Sequence, residues 1–398
     1  MKKAYALIGT LLFFFSTAQA TVWYVHPDST LNSIQAALDS CVDNDTVLVG
    51  PGIYFEHLVW QNTQGIDLRS EYGPDTTVIN GDGLRPTIDI SYEVDTTTII
   101  DGFTVRNGKI GIHLYGASPT IIDNLITNNT NSEIGPAAGG GIACWYNASP
   151  IISRNTIANN TVGGLGADGG GIACWENSSP HIIDNTITGN VCSGGLGALG
   201  GGISCVLSST PIIIGNTIAN NSVDAVLNFG GGGIACFESS PTIDSNTIAN
   251  NNGGGISCST STPTIHYNNI VDNIGYGVEN RDSTITLNAT NNWWGDATGP
   301  YHPTANPGGL GDTVSDYVDF DPWLYNPWGI EEEPIVKPVD KHKTLHATIF
   351  SGPLLLPEDR KCKVFDITGR AVEPTNITHG IYFIVVDGHI TQKVVKVR

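Results

Sequence analysis

The chain has 398 residues and a net charge of -20, with 38 acidic side chains against 18 basic ones. Between Thr21 and Ile330 the count is 29 acidic to six basic, and so acidic a body repels phosphate backbones, which argues against a nucleic-acid partner. From Glu331 onward the charges balance, ten basic to nine acidic, which marks a second compositional unit.

In chain order, residues 1–20, "MKKAYALIGTLLFFFSTAQA", carry two lysines, a short apolar run and a small-residue end. They predict a secretory signal cut before Thr21, and no later apolar run has the length of a membrane span. The expected location is secreted or on the outer cell surface.

A repeat then dominates. Registered on the first asparagine of "xNTIxxN", it places Asn124, Asn155, Asn185, Asn216, Asn246 and Asn268 at separations of 31, 30, 31, 30 and 22 residues. Isoleucines (Ile126 to Ile270) and prolines (Pro119 to Pro263) keep the same register, which is a solenoid signal. Each period holds three short β-type runs, as in "GIACW", "PIIS" and "TIA", divided by Gly, Pro and Asn. Three strands and three turns make one coil of a parallel β-helix. Alternation then points Ile and Cys inward, so Cys144, Cys174, Cys205, Cys236 and Cys258 stack as reduced thiols about 4.8 Å apart. The ladder asparagines are expected at bends, in a left-handed or bridge conformation, with amides bonded to one another and to turn backbone.

The longer coils insert glycine-rich stretches such as "TVGGLGADG" before the "GGGIACW" run. Stacked, these predict a wall along one edge of that sheet and a groove beside it. Its floor would be the outward residues Ala143, Ala173, Ser204, Ala235 and Ser257, with Trp145, Trp175, Val206, Phe237 and Ser259 next to them. Trp145, Trp175 and Phe237 are the candidate sugar-stacking rings, and Glu176 and Glu238, which follow two of them, are candidate hydroxyl acceptors. The alternative is that the rings pack on one another and under the loops, stabilising the sheet edge.

With these residues in hand, the repeats resemble those of the pectin-lyase-like superfamily. "VWYVHPDSTLNSIQAALDSCVDNDTVLVGPGIYFEHLVW" is similar to its capping segment, which implies a short amphipathic helix over the open end of the coil stack before the strand "DTVLVGPGIY", and "NNWWGDATGPYHPTANPGGLGDTVSDYVDFDPWL" is similar to its closing coil. The resemblance implies a scaffold that hosts polysaccharide lyases and glycoside hydrolases. It also implies what catalysis would require: an arginine or lysine base near calcium-holding carboxylates, or adjacent aspartates with a histidine. Neither set lies on the expected floor, so no catalytic residue and no metal ligand is assigned. Arg154 lies on another face as a solvated charge. His113, His181 and His266 share no register and fit surface positions. Asp312, Asp316, Asp319 and Asp321 offer a possible calcium cluster against the commoner reading of acidic turns. No other cofactor is expected.

"EEEPIVKP" opens a linker over 331–344. The tail, 345–398, resembles the C-terminal sorting domain of type IX secretion through "VFDITGR", "GIYFIVV" and "KVVKVR", which implies export machinery as a partner. The sequence therefore predicts an all-β chain: a right-handed parallel β-helix of about ten coils over 21–330 and a small C-terminal β-sandwich-like domain. The expected role is non-catalytic binding of a polysaccharide or cell-surface glycan, the alternative being a lyase or hydrolase.

Overall fold

A computed structural model describes residues 20–91, 93–132, 136–225 and 230–329, and parts of 348–396. The expected leader, apart from Ala20, and the 331–344 linker lie outside the described residues. The chain divides into two compact units, Met1–Ile330 and Glu331–Arg398.

The first unit is a right-handed parallel β-helix. One full coil runs through Ile142–Trp145, Ile151–Ser153 and Thr156–Ala158 before the next begins at Ile172–Trp175. The three positions stack into three parallel sheets: a cysteine sheet of 11 strands, a proline-led sheet of 12 and a threonine sheet of nine. Register is kept residue for residue, so Ile142 meets Ile172, Cys144 meets Cys174, and Ile152 meets Ile182. One residue of slip would turn every inward isoleucine to solvent, and the buried column of Ile, Cys and Val fixes the pairing. Ile172, Cys174, Ile182 and Ile187 of one coil are all fully buried. Each isoleucine contributes about 1.5–3 kcal/mol through burial, and only a neighbouring coil makes that burial possible. The thiols of Cys144, Cys174, Cys205, Cys236 and Cys258 are buried and unbridged.

Two buried asparagine ladders hold the corners. Asn155 donates through Nδ2 to Ile121 O (2.8 Å), Ser153 O (3.1 Å) and Asn185 Oδ1 (3.1 Å), and its backbone N–H reaches the same Asn185 oxygen at 2.9 Å. The same pattern recurs at Asn129, Asn160, Asn190, Asn221, Asn251 and Asn273, where the last rung meets the Asp312 carboxylate at 2.9 Å. A left-handed or bridge backbone was expected on the ladder asparagine itself, and the left-handed one is not found there. It falls instead on the residue before it, at Asp123, Arg154, Asp184, Gly215, Ser245 and Tyr267, with φ between 55° and 69°. That residue makes the corner, and the asparagine after it is free to turn its amide inward.

The ends are closed. A short helix, Ile34–Leu38, buries Ile34, Ala37 and Leu38 over the first coil, and Ser33 caps it. The Glu56 carboxylate accepts from the N–H groups of Ile34 (2.9 Å) and Gln35 (2.8 Å), satisfying donors that a helix start leaves open. At the other end Trp294 is fully buried and Phe320 nearly so. No helix among the described residues is long and apolar enough to cross a membrane.

The insertions form a fourth sheet that three strands per coil did not anticipate. It contains Thr130–Asn131, Pro136–Ala138, Thr161–Asp168, Val191–Leu199 and Ser222–Ala225, paired in parallel. We call it the flap. It carries a small core of its own, Ala137, Val162, Ala167, Cys192, Ala198 and Val223.

The second unit contains a five-stranded sheet, Thr348–Phe350, Cys362–Asp366, Ala371–Val372, Gly380–Val386 and His389–Lys396. Its pairings are antiparallel except at the Thr348–Phe350 edge. Val364, Ile377, Tyr382, Ile384 and Val394 form its core.

Candidate functional site

The outward side chains of the cysteine sheet form two rows. The first reads Asp89, His113, Ala143, Ala173, Ser204, Ala235, Ser257 and Glu279 in register. This was the expected groove floor, and it is closed. Ala143, Ala173 and Ser204 are 0% exposed, Ala235 1% and Ser257 3%. The reason lies in the glycines that precede each strand. At Gly139, φ is +69°, and a side chain there would lie 2.6 Å from the Ala143 Cβ, so the backbone folds directly onto the row. Small residues beneath and glycine above are complementary, and the insertions cover the sheet instead of standing beside it. Chemistry survives only where the cover stops: at Asp89 and His113 on one end, at Glu279 on the other.

The second row reads Tyr115, Trp145, Trp175, Val206, Phe237 and Ser259. Trp145 and Trp175 stack at a centroid separation of 5.9 Å and an interplanar angle of 28°. Tyr146 packs on Tyr115 at 4.5 Å and against Trp145 at 6.4 Å. Trp145, Trp175 and Phe237 are half-buried, while Tyr115 and Tyr146 are exposed. Each strand ends in a left-handed residue, Tyr146, Glu176, Leu207, Glu238 and Thr260, with φ of 48° to 54°. The turn throws these side chains outward, which sets Glu176 beside Tyr146 and raises the tyrosine pKa above its ordinary value through the carboxylate's charge. Glu176 is half-buried and Glu238 exposed.

Among the described residues, Asp168 ties the flap to this row. Asp168, at the end of its strand, accepts from Trp175 Nε1 at 3.0 Å. Burial pushes the Asp168 carboxyl up to about 6, with the tryptophan bond pulling the other way. Ala138 stands at the position of Asp168 one coil earlier. Trp145 therefore lacks an equivalent acceptor, and its Nε1 is buried without a hydrogen-bond partner.

The remaining sites read from the sequence are placed as follows. His113 is not a surface residue: its Nδ1 lies 2.9 Å from Asp89 Oδ1, its side chain is 17% exposed, and it meets the Trp145 ring edge-on at 5.6 Å. Burial raises Asp89, but the His113 and Ser91 contacts outweigh it and hold the carboxyl below its usual value. His181 and His266 lie on the proline-led sheet, away from His113. Arg154 is paired, its Nη2 lying 2.6 Å from Asp123 Oδ2. Of the carboxylates considered for calcium, Asp312 ends an asparagine ladder, and Asp316 pairs with His302 at 3.2 Å. No group of three or more potential metal ligands is gathered among the described residues.

Sequence reading missed the far end of the covered row. Glu279 accepts from Arg281 Nε at 2.9 Å, and both line a cavity of about 360 Å³ with Tyr276, Ile274 and the glycines of the last strands. The signal was present in "GVENR", which keeps the strand register after the cysteine has been replaced by Asn280.

Among curated proteins none matches this chain. The family described as right handed beta helix region matches residues 88–230 and 198–298, which together cover more than half of the sequence. The register, the closed core and this match agree, and the chain belongs to the right-handed β-helix family.

Proposed function

We propose that this protein is an exported, non-catalytic β-helix that binds a polysaccharide or cell-surface glycan along its outer aromatic row. The observation that carries the reading is the row itself: Tyr115, Trp145, Tyr146 and Trp175 form one continuous set of ring contacts on the outer side of the cysteine sheet. Sugar rings present apolar faces to aromatic planes and hydroxyls to carboxylates, and Glu176 and Glu238 stand beside the rings as acceptors, with Phe237 two coils beyond Trp175. The signal-like start supports a secreted or outer-surface location, and the C-terminal unit is then a sorting module for export machinery. A glycan-array screen of the mature chain, run beside reducing-sugar and unsaturated-product assays, tests this: binding without turnover is expected.

The alternative, a polysaccharide lyase or glycoside hydrolase, draws its support from Glu279 and Arg281 in their cavity. Turnover abolished by Arg281→Ala would establish it in place of the binding reading.

A further inference from the structure

The corner residues before the first asparagine ladder are Asp123, Arg154, Asp184, Gly215, Ser245 and Tyr267, all left-handed. A bulky ring takes that conformation least readily, and the earlier coils use small or charged residues there. The last coil of the series puts a phenol ring at this corner, 36% exposed.

The chain then returns to that ring. Residues 321–329, "DPWLYNPWG", run back along the stack, where the Leu324 N–H donates to Asn292 O at 2.9 Å. Further on, Asn269 clasps the backbone of Trp328: its Nδ2 donates to Trp328 O at 3.1 Å, and its Oδ1 accepts from Trp328 N at 2.7 Å. The Trp328 and Tyr267 rings lie 4.6 Å apart at 40°, and His266 meets Tyr267 edge-on at 6.2 Å. Trp328 is nevertheless 43% exposed. Single rings scattered over a surface need no explanation, but a clasped pair that solvent still reaches calls for one.

We propose that Trp328 and Tyr267 form a second carbohydrate platform, which stacks on a ring of a neutral polysaccharide apart from the outer aromatic row. Each side chain offers a flat apolar face and a polar edge group, N–H or O–H, as a pyranose offers C–H faces and hydroxyls. The clasp fixes the Trp328 backbone before any ligand arrives, so less freedom is lost on binding. Asp244 stands opposite His266 one coil earlier, and the β-helix is acidic, so a neutral chain fits better than a polyanion. Tyr267 belongs to the coil of Ser259, three coils beyond Trp175, and lies at the corner between Thr264–His266 and Asn269–Val271, away from the outer face of the cysteine sheet. One sugar ring cannot touch both places. The ligand class rests on the carbohydrate reading above; the platform itself does not depend on Trp145 or Trp175.

The test is hydroxyl-radical footprinting of the full mature chain, read by mass spectrometry at Trp328 and Tyr267, with β-linked hexasaccharides of glucose, xylose, mannose and galactose as probes. Both residues are expected to be oxidised in the free chain and protected by at least one hexasaccharide, in the parent and equally in the Trp145→Ala, Trp175→Ala double variant. In that double variant, calorimetry should show Trp328→Ala weakening the remaining binding about fivefold, and Trp328→Phe, which keeps a ring, leaving it within about twofold. Tyr267→Ser, which restores the residue of the preceding coil, should weaken it by a similar factor and decides the outcome should Trp328→Ala not fold. Protection of Trp145 and Trp175 with Trp328 unprotected would overturn this platform alone; protection of neither pair would overturn it together with the carbohydrate reading. Failure of Trp328 to oxidise in the free chain would also overturn it, since another part of the chain or a second copy would then cover the ring.

Discussion

Replacing Asn185 by alanine removes one rung of the first asparagine ladder. Its Nδ2 bonds Ile152 O at 2.9 Å, Ile183 O at 3.0 Å and Asn216 Oδ1 at 3.0 Å, and its Oδ1 accepts from Asn155 N at 2.9 Å and Asn155 Nδ2 at 3.1 Å. Asn185 is 2% exposed, so water cannot take over these bonds without opening the corner. The Asn155 N–H is left as a buried donor without a partner, at about 1–3 kcal/mol, and the other lost bonds add about 0.5–1.5 kcal/mol each. The expected loss is therefore about 3–9 kcal/mol, a large share of the ~5–15 kcal/mol that holds a domain folded. Asp184→Asn is the control: position 184 is exposed and left-handed, asparagine tolerates that conformation, and a change within about 0.5 kcal/mol is expected. Urea unfolding followed by tryptophan fluorescence, with native-state hydrogen exchange to localise the effect to the coils on either side, measures both. A loss below about 1 kcal/mol for Asn185→Ala would refute the argument that the ladder stabilises the stack.

Two further outcomes follow from burial. Thiol reagents should label none of Cys144, Cys174, Cys205, Cys236 and Cys258 in the native protein, since all are at most 2% exposed, and all five after denaturation; rapid native labelling of Cys174 would reverse the strand parity. Asp168, with its carboxyl at about 6 in the fold, keeps a proton that the unfolded chain has released by about pH 4. Between those values the unfolded state binds fewer protons, so stability falls as pH rises from about 4 to 6 and is level above. A rise of about two pKa units corresponds to a fall of at most about 3 kcal/mol; Asp168→Asn should abolish it, and an unchanged pH profile in that variant would count against the assignment.

Much of the β-helix was legible because its determinants repeat. Ile, Cys, Pro and Asn recur at fixed offsets, and the alternation that places Ile142 and Cys144 inward is written in the four residues of one strand. The corner conformation was displaced by one residue because the repeat varies at the corner, from Asp to Arg to Gly, and only the backbone shows that all of these are left-handed. The covered floor was harder to read. A glycine-rich insertion has no hydrophobic alternation to show that it pairs as a sheet, and Ala143 or Ser204 is as compatible with an open surface as with a tight lid. His113 and Glu279 were obscured for a related reason: they occupy the same row as those small residues, but neither the period nor the residue type persists at its ends.

The claim that the outer aromatic row binds glycan is tested most directly by calorimetry on the glycan selected from an array, comparing the mature chain with the Trp145→Ala, Trp175→Ala double variant. Each ring contributes about 1 kcal/mol of stacking, so the dissociation constant should rise about ten- to a hundredfold. The rings are half-buried, so stability should fall by about 2 kcal/mol per ring while the unfolding transition stays cooperative. An unchanged dissociation constant in a folded double variant, or no glycan bound by the parent chain at all, would contradict the account and leave the rings as packing at the edge of the flap.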